Sequence, residues 1–144
     1  MIRIEGECQS WCKAGSDNLK KQLPHIIGDF PEINGCHFGT INLYLDKPLI
    51  VVSPDHRTKP VPWDPSFGVG EIFDFLRIEI EAPVGSSHVQ AWLYIPHGSP
   101  HRIDIRKHEV ITTKLNVSEG NRCAIIINKQ TVELPYMKGY YFVI

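Results

Sequence analysis

The residues best suited to chemistry stand together in Gly39-Thr40-Ile41-Asn42-Leu43. On a strand, side chains alternate, so Thr40 and Asn42 project from one face, about 6–7 Å apart. A hydroxyl and an amide oxygen at that spacing reach one hard cation such as Mg2+ and leave coordination positions for water and phosphate. Gly39 lets the backbone enter the strand with no side chain in the way. The same pair also suits the wet face of an antiparallel strand with no chemistry attached, and the pentapeptide alone favours that plainer reading.

Other constellations are weaker. Cys8, Cys12, Cys36 and His37 have the ligand chemistry for tetrahedral zinc. A single C-x3-C without a second pair departs from zinc-knuckle spacing, so reduced cysteines in the core or in strands are expected instead. His97 and His101 are four apart, yet Pro96 and Pro100 exclude the helix that would place them on one face. The histidines, His88 and His108 included, are read as exposed loop residues titrating near neutrality. The chain has no H-x-H pair, no G-x-S-x-G elbow and no phosphate-binding G-x-x-x-x-G-K-[ST]. Phe67-Gly68-Val69-Gly70 reads as a turn into the next strand rather than a phosphate nest. Trp11, Trp63 and Trp92 offer flat surfaces for stacking, with core or rim packing the simpler expectation.

The elements that position these residues follow from a pattern of period two. Ile2 and Ile4 open a short strand, Ile41, Leu43 and Leu45 define a half-buried one, and Leu49 to Val52 is a short apolar run. Between Ile72 and Ile80 the apolar phase slips by one near Leu76, and a β-bulge is the economical explanation. Val89, Ala91, Leu93 and Ile95 alternate with polar or amphipathic neighbours. Ile103 and Ile105 flank Asp104, and Cys123–Ile127 and Tyr140–Val143 complete the strands. Ser16 is placed to cap a helix with Leu19, Leu23, Ile26 and Ile27 on one face, which Pro24 should end or kink near Leu23. A second short helix is expected from about Glu109 to Leu115, stopped by the turn Ser118-Glu119-Gly120-Asn121. The stretch from Ser53 to Gly70, with four prolines, reads as a long surface loop. Many short strands with one or two short helices indicate a mainly β, small single-domain barrel spanning 1–144.

Composition bounds the function. The 144 residues suffice for one core, and 42% hydrophobic with 22% charged residues is ordinary for a globular chain. Fifteen Lys and Arg against sixteen Asp and Glu give a net charge of -1, which speaks against general nucleic-acid binding. Pro48-Leu49-Ile50-Val51-Val52 falls far short of the roughly 20 apolar residues that span a bilayer. Met1-Ile2-Arg3-Ile4-Glu5 carries charge too early for a signal peptide, so a cytoplasmic location and no membrane partner are expected.

In this setting the sequence resembles the CTP-dependent riboflavin kinases, whose fold is a small cradle-loop β-barrel. Their G-T-x-N signature stands here as Gly39, Thr40, Ile41 and Asn42. Ile4-Glu5-Gly6-Glu7 is similar to the family's opening strand, at a similar distance upstream. Pro96 followed by Ser99 and His101 is similar to its P-x-x-T-x-H segment, and Ile103-Asp104-Ile105 stands near its I-E-I stretch. Leu115 with Ser118-Glu119-Gly120-Asn121 is similar to its closing L-x-x-G-D turn. The resemblance runs from about Ile4 to Ile127 and rests on the order and spacing of short motifs.

The resemblance implies that Thr40 and Asn42 hold Mg2+, that Ser99 and Asp104 meet a flavin, and that Lys13 and Gly15 stand at the nucleotide. It assigns no catalytic residue. The implied activity is phosphoryl transfer to riboflavin or a similar small alcohol, with a flavin or nucleotide as ligand. The alternative is a non-catalytic small-molecule-binding or interaction domain of the same fold. The family's G-x-G-x-G turn is replaced by Trp11-Cys12-Lys13-Ala14-Gly15, and its A-P-x-x-L-R segment by Lys107-His108-Glu109-Val110-Ile111-Thr112. An indole occupies volume that phosphate needs, and Thr112 lacks the charge-assisted bonds of an arginine, so weak CTP binding is expected.

Overall fold

The computed structural model describes residues 1–11, 13–36, 40–98, 104–113, 115–130, 132–136 and 139–144, with side chains described outside positions 10–17 and 134–140. Six antiparallel strands close a barrel. They are β1 (Ile2–Trp11), β2 (Ile41–Leu45), β5 (Phe73–Glu81), β6 (Val89–Pro96), β7 (Lys107–Ile111) and β8 (Arg122–Ile127). Their spatial order is β5-β6-β7-β2-β1-β8, and pairing of β8 with Glu79–Glu81 of β5 completes the circle. The first half of β5 pairs instead with β4 (His56–Arg57), a two-residue edge strand inside the proline-rich stretch. A second sheet joins β3 (Leu49–Ile50), β10 (Gly139–Val143) and β9 (Val132–Tyr136), with β10 parallel to β3. Between β1 and β2 lies the α-helix α1 (Lys13–Ile26), the one α-helix among the described residues.

Two apolar clusters hold these layers together. Ile41, Leu43 and Leu45 point into the barrel with Leu76, Ile78, Ile80, Leu93 and Val110, and Leu49, Phe142 and Ile144 of the second sheet pack into the same core. Outside the barrel wall, Phe73, Phe75, Trp92, Tyr94 and Ile111 pack against Leu19, Leu23 and Ile26 of α1 and against Phe30. The wall between the clusters is therefore buried on both sides.

That arrangement overturns two expectations. The pairing of β5 with β6 runs without a break from Phe73↔Pro96 to Ile80↔Val89, so there is no bulge at Leu76. The apolar phase slips because Phe73 and Phe75 face α1 while Leu76, Ile78 and Ile80 face the barrel interior. The segment expected to form a helix from Glu109 is strand β7, in which Val110 serves the inner core and Ile111 the outer one. Consecutive apolar residues arise from burial on both faces, not from a helical stripe.

Smaller differences have local causes. Ser16 lies inside the first turn of α1 rather than at its cap, and Pro24 falls in the last turn, where the helix runs on to Ile26. Only one backbone bond is lost to a proline that close to the end. Asp104 and Ile105 precede β7 in a turn rather than forming a strand, and Ile103 lies outside the described residues. The turn at Ser118–Asn121 forms as expected, with Asn121 N–H donating to Ser118 O at 3.0 Å and Gly120 at φ +87°. Cys8 and Cys123 are buried in the core as free thiols, and desolvation raises both above the ordinary range. Cys12 and His37 lie outside the described residues. Among the described residues, no helix is long and apolar enough to cross a membrane.

One surface cluster makes a pH-dependent prediction. Glu81 accepts from Arg3 Nη1 at 2.8 Å and from the Gly85 N–H at 2.6 Å, and its other close neighbour is His88 Nε2 at 3.0 Å. The Arg3 bond, and after it the Gly85 amide, hold its carboxyl at about 2, below the ordinary 4.5. A depressed carboxyl contributes stability above its unfolded pKa and loses it as pH falls through the folded value. The wild-type advantage in thermal midpoint over Glu81→Gln should therefore be full at about pH 5 and vanish near pH 2. An advantage independent of pH across that window would refute this assignment.

Candidate functional site

On β2, the face bearing Thr40 and Asn42 points out of the barrel, opposite to Ile41 and Leu43. It grades from buried to open along the strand, with Thr40 fully buried, Asn42 half-buried and Tyr44 exposed. The expectation of a solvent-facing pair thus fails at Thr40, which is fully buried. Its hydroxyl donates to Glu109 Oε1 at 3.2 Å. Glu109 stands directly opposite Asn42 in the β2–β7 ladder and opposite Tyr94 in the β6–β7 ladder. A hydroxyl, an amide and a carboxylate thus share one patch of the outer face, and the motif did not disclose the carboxylate.

Tyr94 is the buried neighbour of this patch. Its hydroxyl donates to Gln22 Oε1 of α1, and burial, with Glu109 and Glu71 nearby, pushes the phenol well above its usual value. Glu71 is itself buried and accepts from Trp63 Nε1 at 2.9 Å and from the Gly98 N–H at 2.7 Å. It pins the proline-rich loop to the turn that follows β6. Trp63 therefore packs as part of the fold, beside Phe67 at 5.6 Å between ring centroids, and Trp92 lies in the outer core.

The second feature is a cleft of about 150 Å3 where β6 and β7 diverge. Their pairing ends at Tyr94↔Glu109, and Ile95 and Pro96 on one side then face Lys107 and His108 on the other. Leu49, Ile50 and Val51 form one wall, and Asp104 with Ile105 stands at the rim. Asp104 Oδ1 accepts from the Arg106 N–H at 3.1 Å, which fixes the turn. Asp74 enters from the inner face of β5, buried, with Arg57 Nε at 2.7 Å and Nη2 at 3.0 Å on its two oxygens and His97 Nε2 at 2.9 Å. Burial alone would raise the Asp74 carboxyl, but the bonds from Arg57 and His97 outweigh it and the net shift is downward. His108 turns into the same opening with Nε2 at 3.0 Å from Ile105 O, and desolvation lowers its pKa, which keeps it neutral. It is not the exposed loop histidine expected from sequence.

The remaining candidates divide. Asp104 lines the cleft, whereas Ser99 lies outside the described residues, as do Gly39 and His101. Lys13 and Gly15 belong to the first turn of α1, which starts after β1 has kept its pairing with β2 through Trp11↔Ile41. Thr112 is buried, and its hydroxyl donates to Gln90 O at 2.6 Å. Among the described residues, no group of three or more His, Cys, Asp or Glu is arranged to hold a metal. Compared with protein-family models and with curated proteins, the chain matches neither.

Proposed function

We propose that this chain is a divergent phosphotransferase related to the CTP-dependent riboflavin kinases, transferring a phosphoryl group to a small alcohol with Mg2+. The supporting observation is Glu109, which accepts the Thr40 hydroxyl through its side chain and stands at the edge of the cleft, so the opening and the Thr40–Asn42 pair adjoin at one residue. The donor types, a hydroxyl, an amide and a carboxylate, are the hard oxygens such an ion takes. Thr40 is buried, a cation beside it needs a fixed negative charge, and Glu109 supplies one. Bound there, Mg2+ would offset charge on the donor phosphates.

The chain's own groups then have separate tasks. Asp104 at the rim orients the alcohol, Glu109 takes the proton from the attacking hydroxyl, and the backbone N–H groups of the first turn of α1 face the donor. Thr112 spends its hydroxyl on Gln90 and offers nothing to a nucleotide. CTP with Mg2+ should therefore bind no tighter than the millimolar range by titration calorimetry, and a low-micromolar, metal-dependent site would contradict this. The decisive assay offers nucleoside triphosphates and small alcohols with and without Mg2+ and looks for a phosphorylated product. A product formed only with Mg2+ supports the proposal, and none with any pair rejects it.

A second reading is favoured by the complete burial of Thr40 and the commitment of its hydroxyl to Glu109. In it the barrel binds a small molecule, or a protein partner, without chemistry. A ligand that raises the thermal midpoint equally with and without Mg2+, and is never phosphorylated, supports this alternative.

A further inference from the structure

We infer that Asn34 is a site of self-modification, where the chain converts this residue to aspartate and isoaspartate through a cyclic imide. The inference is independent of the phosphotransferase reading. Asn34 is the one asparagine followed by glycine, whereas Asn18, Asn42, Asn116, Asn121 and Asn128 precede bulkier residues. The pair Asn34-Gly35 occupies the two central positions of a turn from Ile33 to Cys36, closed by the Cys36 N–H donating to Ile33 O at 3.2 Å. Asn34 at φ -62°, ψ 135° and Gly35 at φ +90° give the turn its type II form, which calls for glycine at the third position.

The reacting atoms are the Gly35 amide nitrogen and the Asn34 Cγ. Both residues are exposed, and among the described residues neither the Asn34 carboxamide nor the Gly35 N–H has a hydrogen-bond partner. A Cβ built on Gly35 would meet nothing within 4 Å, so the Asn34 peptide plane has room to rotate toward its own side chain. Hydroxide takes the Gly35 amide proton, the nitrogen attacks Cγ, and the bond from Cγ to the side-chain nitrogen breaks, releasing ammonia with a proton from water. Water then opens the imide. Cleavage of the new bond to Cγ leaves aspartate; cleavage of the original peptide bond routes the main chain through Cγ and leaves isoaspartate. The competing asparagines are worse placed, since Asn42 is half-buried in β2 and Asn121 Oδ1 accepts the Ser118 N–H at 2.8 Å. Isoaspartate lengthens the main chain inside the turn by one carbon, which removes the geometry of its closing bond. Ile33, at the head of the turn, is fully buried in the outer cluster with Leu19 and Leu23, so the change is felt in the layer that holds α1.

Ageing the folded full chain in mildly alkaline buffer at physiological temperature, followed by peptide mapping and isoaspartyl methyltransferase labelling, tests the assignment. The peptide containing Asn34 should gain the mass of an amide-to-acid exchange and accept methyl groups before any other asparagine peptide does. Asn34→Gln should abolish both signals at this peptide. The aged chain should melt lower than fresh protein, whereas fresh Asn34→Asp, which adds the charge without lengthening the main chain, should keep the wild-type midpoint. A urea-unfolded sample of the same chain serves as the reference. If Asn34 is modified there but not in the folded chain, the turn protects it and the inference is overturned. Modification led by another asparagine, or no methyl acceptor at the Asn34 peptide in either sample, overturns it as well.

Discussion

Phe75→Ala should cost about 3–5 kcal/mol in denaturant unfolding, and Leu76→Ala, the very next residue, about 2–5 kcal/mol. On a strand with one wet face, two adjacent residues cannot both be this expensive. Here both are fully buried, in different cores. Phe75 packs with its ring centroid 5.1 Å from Phe30 and 5.9 Å from Tyr94, in the layer under α1. Leu76 faces the barrel interior with Leu93 beside it in the ladder. The two losses should differ in where they are felt. Amide exchange at Leu19 and Leu23 of α1 should accelerate more in Phe75→Ala than in Leu76→Ala at matched global stability. Equal acceleration in the two variants would show that the outer layer is not a separate support for the helix.

The same two-sided wall explains what the sequence did and did not disclose. β2 was plain, because Ile41, Leu43 and Leu45 fill the interior while Thr40, Asn42 and Tyr44 grade from burial to exposure. Alternation is a reliable sign when one face is wet. β5 and β7 break that condition, since α1 covers the outer face of their ends near Phe73 and Ile111. A bulge and a helix were the natural readings of Phe75-Leu76 and Val110-Ile111, and both were wrong for one reason. β4 and β9 went unread because they are short edge segments among prolines, with Pro135 inside β9. At the site, the Thr40–Asn42 pair is local and its spacing is visible. Glu109 is not, because it meets Thr40 across a separation of 69 residues, through a ladder register that no single strand reveals. Asp74 is not singled out by its sequence neighbours, because its partner Arg57 reaches it only through the pairing of β4 with β5.

Glu109→Gln should lower Mg2+-dependent phosphoryl transfer by about 10²–10⁴-fold, the usual yield of a positioned general base. The substitution keeps an oxygen that can accept from Thr40, so the fold should lose no more than about 1 kcal/mol. Charge, not shape, is what it removes. Mn2+ in place of Mg2+ gives a readout independent of turnover, because its paramagnetic signal reports binding directly. Loss of the one anionic ligand should weaken Mn2+ by about tenfold or more, and Asn42→Ala should weaken it while leaving proton transfer at Glu109 intact. Exposed Glu119→Gln is the control for general charge. If the wild-type chain binds no Mn2+ in the low-millimolar range and yields no phosphorylated product, the patch of Thr40, Asn42 and Glu109 is a buried polar tie between β2 and β7. Thr40→Val would then register only as lost stability, because a hydroxyl whose whole task is one hydrogen bond to Glu109 has no other property to lose.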